Sequence, residues 1–226
     1  MSVSKRVGAA LAPKVTGLAP GLTSSFVHQA LDKAITGVGP LPSAASAADK
    51  QLHEQHGDVE RAIHEVIENH VRYAGAQGFA TNIGGLVTMA VTVPVNLSGL
   101  TLIQCRMVAG IAHLRGYDLS DPRTRDAILA CLLPEERILR MVKQRQLPGS
   151  PMEIAAAAVH DPDLDRMLGT EVAAELVTRA TGKRLAATVG RRIPVVGGVV
   201  GAGTDAFVTW KIGRYVDREF LPRKRR

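Results

Sequence analysis

Histidines and carboxylates that could hold a divalent metal ion lie close together between residues 53 and 70. The four potential ligands nearest in sequence are His53, His56, Glu60 and His64. On an uninterrupted helix they would share one arc, but Gly57 followed by Asp58 is typical of a helix end and a new N-cap. The segment from His64 resembles the zinc motif HExxH, yet Glu68 stands where the second histidine is required. We therefore expect no metal, and a metal-dependent hydrolase using His and Glu side chains in residues 53–70 is kept as an alternative function.

A second pattern with chemical meaning is the glycine-rich stretch at residues 201–206, which has the GxGxxA spacing of dinucleotide-binding loops. Such a loop belongs to a βαβ unit with an acidic residue about 20 residues further on. Only 20 residues follow Ala206, which is too short for that unit. Gly197 and Gly201 instead have the small-xxx-small spacing that lets two helices approach closely. The pattern indicates helix packing, and no cofactor is expected.

Polar side chains in apolar surroundings form the other candidate site. Five of them are Asn82, Gln104, Arg106, His113 and Asp205. A charge removed from water costs several kcal/mol unless it is paired, so Arg106 and Asp205 are candidates to bond each other. Such a pair would be structural, or it would form the polar floor of an apolar pocket, which is how binding sites are usually built. We favour the structural role and keep the pocket floor as the alternative.

Residues 73–105 form an uninterrupted run of 33 uncharged residues. That length would span a bilayer, for which about 20 apolar residues suffice. Polar residues such as Asn82 and Gln104 make the run borderline as a spanning helix, so a hairpin that is buried in protein or dips into lipid is equally consistent. Pro94 is expected to begin the second arm. The apolar residues expected to contact a ligand or a membrane, here and in a second glycine-rich segment, are Phe79, Leu86, Val87, Met89, Val91, Val93, Val95, Leu97, Val199 and Val200.

Hydrophobic periodicity is helical along the chain, with little strand alternation. It predicts an all-α fold: a compact multi-helix domain with two Gly/Pro-rich apolar helical hairpins, around residues 83–105 and 193–206. We expect a mobile arm at residues 1–25, the helical domain at 26–220 and a basic tail at 221–226. Ser43 is expected to cap the second helix, Gly182 to interrupt a long one, and Phe207 to begin the last amphipathic helix.

The formal net charge of the 226-residue chain is +7. A basic tail that suits anionic phospholipid headgroups supplies part of it: Arg223, Lys224, Arg225 and Arg226. The alternative is a frayed, solubilising terminus. Nucleic acid is not expected as a partner, because the body lacks a basic stripe interleaved with aromatic residues. Cys105 and Cys131 lie in apolar stretches without metal spacing and are predicted to be buried, reduced thiols. With no secretory signal apparent, we expect the cytoplasm.

Several segments together resemble the bacterial EcsC family. They are residues 30–35 (ALDKAI), 78–85 (GFATNIGG), 104–113 (QCRMVAGIAH), 116–118 (GYD), 193–198 (IPVVGG) and 212–214 (IGR). The resemblance covers about residues 26–220, and the N-terminal arm and the basic tail lie outside the shared pattern. It implies a bacterial, mostly helical protein. The biochemical activity of the family is not established, so no catalytic residue can be carried over.

We expect a non-enzymatic, membrane-associated or lipid-binding helical protein. In this hypothesis the two hairpins insert partly into a bilayer or enclose an acyl-like ligand, while the tail meets anionic headgroups on the inner face of the plasma membrane. The expected partner is therefore a membrane surface or a lipid. A structural or assembly role, in which the apolar hairpins pack against a protein partner or a second copy, is kept beside the hydrolase as an alternative.

Overall fold

The computed structural model describes the backbone of residues 23–83, 89–189 and 194–223, and the side chains of residues 23–78, 99–179 and 202–223. Within these ranges the chain forms nine α-helices and no strand. The helices are α1 (Ser24–Thr36), α2 (Ala44–Glu54), α3 (Val59–Ile83), α4 (Met89–Leu114), α5 (Pro122–Cys131), α6 (Glu135–Lys143), α7 (Pro151–Ala156), α8 (Pro162–Val189) and α9 (Pro194–Glu219). The predicted all-α class is confirmed.

Polar caps fix the helix starts at the places that the sequence predicts. The Ser43 hydroxyl accepts a hydrogen bond from the Ser46 amide at 3.1 Å at the start of α2. Asp58 Oδ1 accepts one from the Arg61 amide at 3.1 Å at the start of α3. Between them Gly57 has a φ of +87°, in the left-handed region that favours glycine at a helix end. As predicted, α2 and α3 are therefore separate helices.

Helix α4 lies at the centre of the fold and packs against α1, α2, α3, α5, α8 and α9. Its residues 104–112 are all buried, and all of them except Gln104 and Arg106 are apolar or glycine, as expected for a helix in the core. Cys105 in this stretch and Cys131 in α5 are fully buried free thiols, as predicted. Burial raises the pKa of the Cys105 thiol to about 12. The end of the uncharged run, from residue 99 onward, thus packs inside the protein.

Helices α3 and α9 lie antiparallel and approach closely through small residues. A Cβ added at Gly75 would meet the Ala206 Cβ at 3.6 Å, and one added at Gly213 would meet the Ile67 Cγ2 at 2.9 Å. Helix α4 is antiparallel to α3, because Gly99 faces the Gln77 side chain. The end of α3 and the starts of α4 and α9 consequently lie at the same end of the molecule. The uncharged stretches of these three helices come together there.

Four boundaries differ from the prediction. Pro94 does not begin the second arm: α4 starts at Met89, so Pro94 is its sixth residue, and packing along this central helix outweighs the loss of the one intrahelical hydrogen bond that a proline removes. Gly182 lies inside the continuous α8, because one helical glycine costs only about 1 kcal/mol. Residues 194–206 are the first half of α9 rather than a hairpin, and α1 begins at Ser24, inside the arm predicted for residues 1–25.

No helix in the described part of the chain combines the length and the hydropathy that a membrane crossing requires.

Candidate functional site

A pocket of about 630 Å³ lies between the α1–α2 loop, α2, α3 and α4. Its volume is within the range of about 300–1,000 Å³ that small-molecule sites usually have. Most of its wall is apolar or small: Leu41, Pro42, Ala44, Ala47, Ala48, Val66, Gly99, Leu102, Ile103 and Gly110. The polar side chains that line it are Ser46, Lys50, Gln51, Asn69, His70, Tyr73, Gln77 and Arg106. An apolar wall with a few polar groups is the construction expected of a binding site.

Two glycines of α4 shape this pocket. Gly110 lies where α2 and α3 meet α4, and a Cβ there would make ordinary van der Waals contacts of 3.6 Å with the Ala48 Cβ and the Val66 Cγ1. At Gly99 a Cβ would clash with the Gln77 amide group at 2.2 Å. The missing side chain at residue 99 therefore provides the space that the Gln77 side chain occupies against the pocket wall.

Arg106 supplies the buried positive charge of the pocket, whereas the other lining cation, Lys50, is largely exposed. Arg106 is only 7% exposed, and its Nη1 donates a hydrogen bond of 2.5 Å to the Pro42 carbonyl of the α1–α2 loop. Burial lowers the pKa of its guanidinium, and the electrostatic effect of the nearby Tyr73 partly offsets this decrease. Within the described ranges, no carboxylate forms an ion pair with Arg106. The pocket thus holds a poorly solvated cation without a protein counter-charge.

His70 lines the same pocket and is neutral at physiological pH. Its pKa is lowered to about 4, chiefly by burial and further by the charge of Arg106, against the opposing effect of a backbone hydrogen bond. That bond runs from Nδ1 to the Val66 carbonyl at 2.7 Å, so Nε2 is left as a hydrogen-bond acceptor. The Tyr73 ring packs edge-on against the imidazole at 5.9 Å between centroids. His70 therefore adds a hydrogen-bond acceptor to the pocket and no charge.

The other predicted polar residues lie elsewhere. Gln104 Nε2 donates to the Thr209 hydroxyl at 3.2 Å and joins α4 to α9 in the core. His113 Nε2 donates to Asp49 Oδ1 at 2.8 Å and joins α4 to α2. Asp205 is buried in α9 and does not line the pocket. The expected pair of Arg106 with Asp205 is not found among the ion pairs of the described residues, because the guanidinium turns towards the α1–α2 loop.

The side chains of all ten residues predicted to contact a ligand or a membrane lie outside the described ranges, as do that of Asn82, predicted for the buried polar pair or pocket floor, and those of three tail residues. These are Asn82, Phe79, Leu86, Val87, Met89, Val91, Val93, Val95, Leu97, Val199 and Val200, together with Lys224, Arg225 and Arg226 of the tail. Their predicted roles stay predictions. Arg223, the first residue of the basic run, is held against the body of the protein: its amide donates to the Arg115 carbonyl at 2.7 Å.

The residues of the alternative metal site do not converge. His64 Nε2 lies 2.9 Å from Glu68 Oε1 on the same face of α3, whereas Glu60 binds Arg115. His53 lies in the last turn of α2, and His56 lies in the break between α2 and α3, with a φ of +55°. No group of three or more metal-binding side chains occurs in the part of the chain that the structure describes.

Sequence reasoning missed two buried charge networks. Arg115, at the end of α4 and 7% exposed, donates to Glu60 Oε2 at 3.0 Å and to Asp217 Oδ1 at 2.8 Å. It links α3, α4 and α9. The available signal was its position directly after the apolar run of α4, where a charge has to find a partner.

The second network joins α1, α5 and α8. Asp126 is buried, and its pKa is raised by burial first and then by the hydrogen-bonded carboxyl of Asp165. His28 Nε2 lies 2.8 Å from Asp165 Oδ1, and His28 Nδ1 donates to the Ser24 carbonyl at 2.8 Å. Gly169 leaves room for this histidine, since a Cβ there would stand 2.3 Å from the His28 Cε1. The signal in the sequence was Asp126 itself, which lies between the buried residues of a short helix.

Comparison with known proteins agrees with the sequence motifs. Residues 2–226 match the EcsC protein family. The match includes the N-terminal arm and the basic tail, which the motifs alone had left outside the shared pattern. No curated protein and no solved structure shows a significant match. With essentially its whole length covered by this match, the chain belongs to the EcsC protein family.

Proposed function

We propose that the protein binds an amphipathic anion, an acyl chain with a carboxylate or phosphate head group, in the pocket between α2, α3 and α4. The observation that carries this proposal is Arg106, a buried cation that lines an apolar pocket and has no carboxylate partner among the described residues.

The head group would bind to the guanidinium. Arginine has five N–H donors in a planar fork that matches carboxylate and phosphate oxygens. The hydrogen bond to Pro42 uses Nη1, so the fork retains donors for an anion. Because burial has already desolvated the group, a charge-assisted hydrogen bond to it would be stronger than one at the surface. Neutral His70 beside it would not compete for the anion, and its Nε2 would accept a hydrogen bond from a hydroxyl of the ligand.

The chain of the ligand would lie along the apolar wall. Leu41, Val66, Leu102 and Ile103 line this wall from three different elements. Burial of methylene groups gains about 0.8 kcal/mol for each one removed from water. A neutral alkane of the same length would gain this term and lose the contact with Arg106. The pocket therefore selects for an apolar chain that ends in a negative charge.

The test is calorimetric titration of the delipidated protein with dodecanoate, dodecyl phosphate and dodecanol. We expect both anions to bind, and dodecanol to bind about 10- to 100-fold more weakly, since a hydrogen bond to a charged group contributes about 1.5–3 kcal/mol. Arg106→Gln should weaken the binding of the anions to the level of dodecanol. Ala47→Phe should weaken all three ligands, because a larger side chain at the pocket wall fills its space.

The matched control is Arg61→Gln, which removes an exposed arginine of α3 that pairs only with Asp58. It should bind like the wild type. Equal affinity of the wild type for dodecanol and dodecanoate, or unchanged binding of the anions to Arg106→Gln, would refute the proposal.

A further inference from the structure

Helix α9 exposes two aromatic side chains one turn apart. Phe207 is 59% exposed and Trp210 is 47% exposed, and their rings stack at 6.1 Å with an interplanar angle of 22°. An exposed apolar side chain on its own is ordinary in a soluble protein. A stacked pair on the solvent face of one helix is a continuous apolar surface, and neither ring contributes to the core.

Basic residues continue the same face. Lys211 and Arg214 lie one turn further along α9, on the side of the helix that carries the two rings. The carboxylate before them, Asp205, is buried, and the next one along the helix is Asp217. Lys211 lies 4.0 Å from Glu136 Oε1, and Arg214 lies 3.5 Å from Asp217 Oδ2. The Lys211 pair is exposed, and both contacts are longer than an ordinary hydrogen bond, so they are weak and leave the cations available to a stronger anionic surface.

This combination of aromatic and basic side chains suits the interface of a lipid bilayer better than the surface of a protein partner. Tryptophan is enriched where membrane meets water, because its ring is amphipathic. Lysine and arginine beside it can bury their aliphatic stems and keep the charge at the headgroups. Each basic residue near an anionic leaflet contributes measurably to binding. The aromatic pair supplies the shallow apolar contact, and the two cations supply the charge complementarity.

The position of the face within the fold agrees with this orientation. From Phe207 back to its first residue, Pro194, α9 runs to the end of the molecule at which α3 ends and α4 begins. The residues of α9 before Asp205 are uncharged back to Pro194. At Gly203, on the same face as the rings, an added Cβ would have no atom within 4 Å. The aromatic face is thus continuous with the uncharged end and has open space in front of it.

We propose that Phe207, Trp210, Lys211 and Arg214 form a docking surface for an anionic membrane. The aromatic rings enter the headgroup region, and the lysine and arginine contact lipid phosphates. This surface is separate from the pocket around Arg106 and does not depend on what that pocket binds.

The chain contains a single tryptophan, so Trp210 reports directly on this surface. The full-length protein is titrated with vesicles of phosphatidylcholine and with vesicles that contain phosphatidylglycerol as well. With the anionic vesicles we expect a blue shift of the emission, protection from acrylamide and quenching by brominated acyl chains. Raising the salt concentration should weaken the binding, because exposed charges are screened.

Two variants test the named residues. Phe207→Ser should weaken vesicle binding about 10-fold or more, as expected from the loss of one buried aromatic side chain, while Trp210 remains as the probe. The double variant Lys211→Glu, Arg214→Glu should lose binding to the anionic vesicles by at least about 10-fold. The matched control is Val159→Ser, which makes an apolar residue polar at a position that is 79% exposed outside α9. It should bind like the wild type.

Unchanged emission with every vesicle would overturn the proposal, as would binding that Phe207→Ser leaves intact. So would a concentration-dependent dimer in sedimentation equilibrium that Phe207→Ser abolishes, because the occupant would then be a second copy. Far-UV circular dichroism and thermal unfolding of Phe207→Ser, measured in parallel, should match those of the wild type and show that the variant is folded.

Discussion

Arg223 covers the ring of Tyr117, with its guanidinium carbon 4.2 Å from the ring centroid. Phe220 packs edge-on against the same ring at 4.7 Å between centroids. Gly116 allows the Arg223 backbone to approach closely, since an added Cβ would stand 2.7 Å from the Arg223 carbonyl oxygen. Arg223, one of the four residues predicted to meet phospholipid headgroups, therefore packs against the folded body and joins the segment after α9 to the end of α4.

Replacement of Arg223 should lower stability without affecting the pocket. Arg223→Ala is expected to reduce the free energy of unfolding by about 0.5–1 kcal/mol, the contribution of a cation–π contact at an exposed site. Urea denaturation followed by circular dichroism measures the change. Arg61→Ala, which removes an arginine far from any aromatic ring, is the control and should fall within about 0.5 kcal/mol of the wild type. An equal loss in both variants would rule out the specific contact.

Arg115 should be the most sensitive charged residue of the core. Arg115→Gln is expected to cost about 2–3 kcal/mol in the free energy of unfolding, because it leaves the half-buried Asp217 without its charge-assisted hydrogen bond. Glu60→Gln removes the other partner, which is largely exposed, and should cost below about 1 kcal/mol. Comparable losses from the two variants, measured by denaturant unfolding, would contradict this division between the buried and the exposed partner.

The raised pKa of Asp126 predicts that the free energy of unfolding falls as the pH rises. Burial and the neighbouring Asp165 raise the pKa of its carboxyl to about 8, whereas in the unfolded chain it titrates near its ordinary value of about 4. Between these values the unfolded state releases a proton that the folded state retains, so this group lowers the free energy of unfolding progressively up to pH 8.

Asp126→Asn should remove this contribution. We expect its melting temperature to depend less on pH between about 5 and 8 than that of the wild type, with the largest relative gain at the alkaline end. Differential scanning calorimetry at several pH values measures the difference. Asp163→Asn, at an exposed carboxylate of α8 that bonds Arg166, serves as the control. A parallel pH profile of Asp126→Asn and the wild type would disprove the assignment.

Two glycines of α9 should respond in opposite directions to the same substitution. Gly213→Ala should destabilise the protein by about 1–3 kcal/mol, because its Cβ would meet the Ile67 side chain at 2.9 Å and the Met107 Sδ at 3.3 Å. Gly203→Ala meets no atom within 4 Å and should stabilise it by about 0.5–1 kcal/mol through helix propensity. Thermal unfolding of both variants tests the close packing of α9, and the opposite order of stabilities would exclude it.

Local signals in the sequence predicted the helix starts well. Ser43 and Asp58 cap the helices that they precede, since a cap depends on residues within three positions. The same local rules failed at Pro94 and Gly182, where long helices continue because packing along their length outweighs one unfavourable residue.

The site was predicted only in part, for a physical reason. That Arg106 is buried follows from the apolar residues around it, but its partner does not: the Pro42 carbonyl lies 64 residues earlier in the chain. Asp205 was a reasonable partner for Arg106 by charge, yet nothing in the sequence specifies which face of α4 packs against Asp205. The pocket is assembled where α2 packs against both α3 and α4, and this packing depends on tertiary contacts between distant segments.

The burial of both cysteines also determines their chemical reactivity. A thiol reacts with alkylating reagents as the thiolate, and the raised pKa of Cys105 and Cys131 keeps that form scarce in the folded protein. Each sulfur is also covered by the helices around it. Modification of Cys105 therefore requires α4 to separate transiently from its neighbours. The rate of labelling measures how often this local opening occurs. The native chain thus carries a reporter of core dynamics on the helix that holds Arg106.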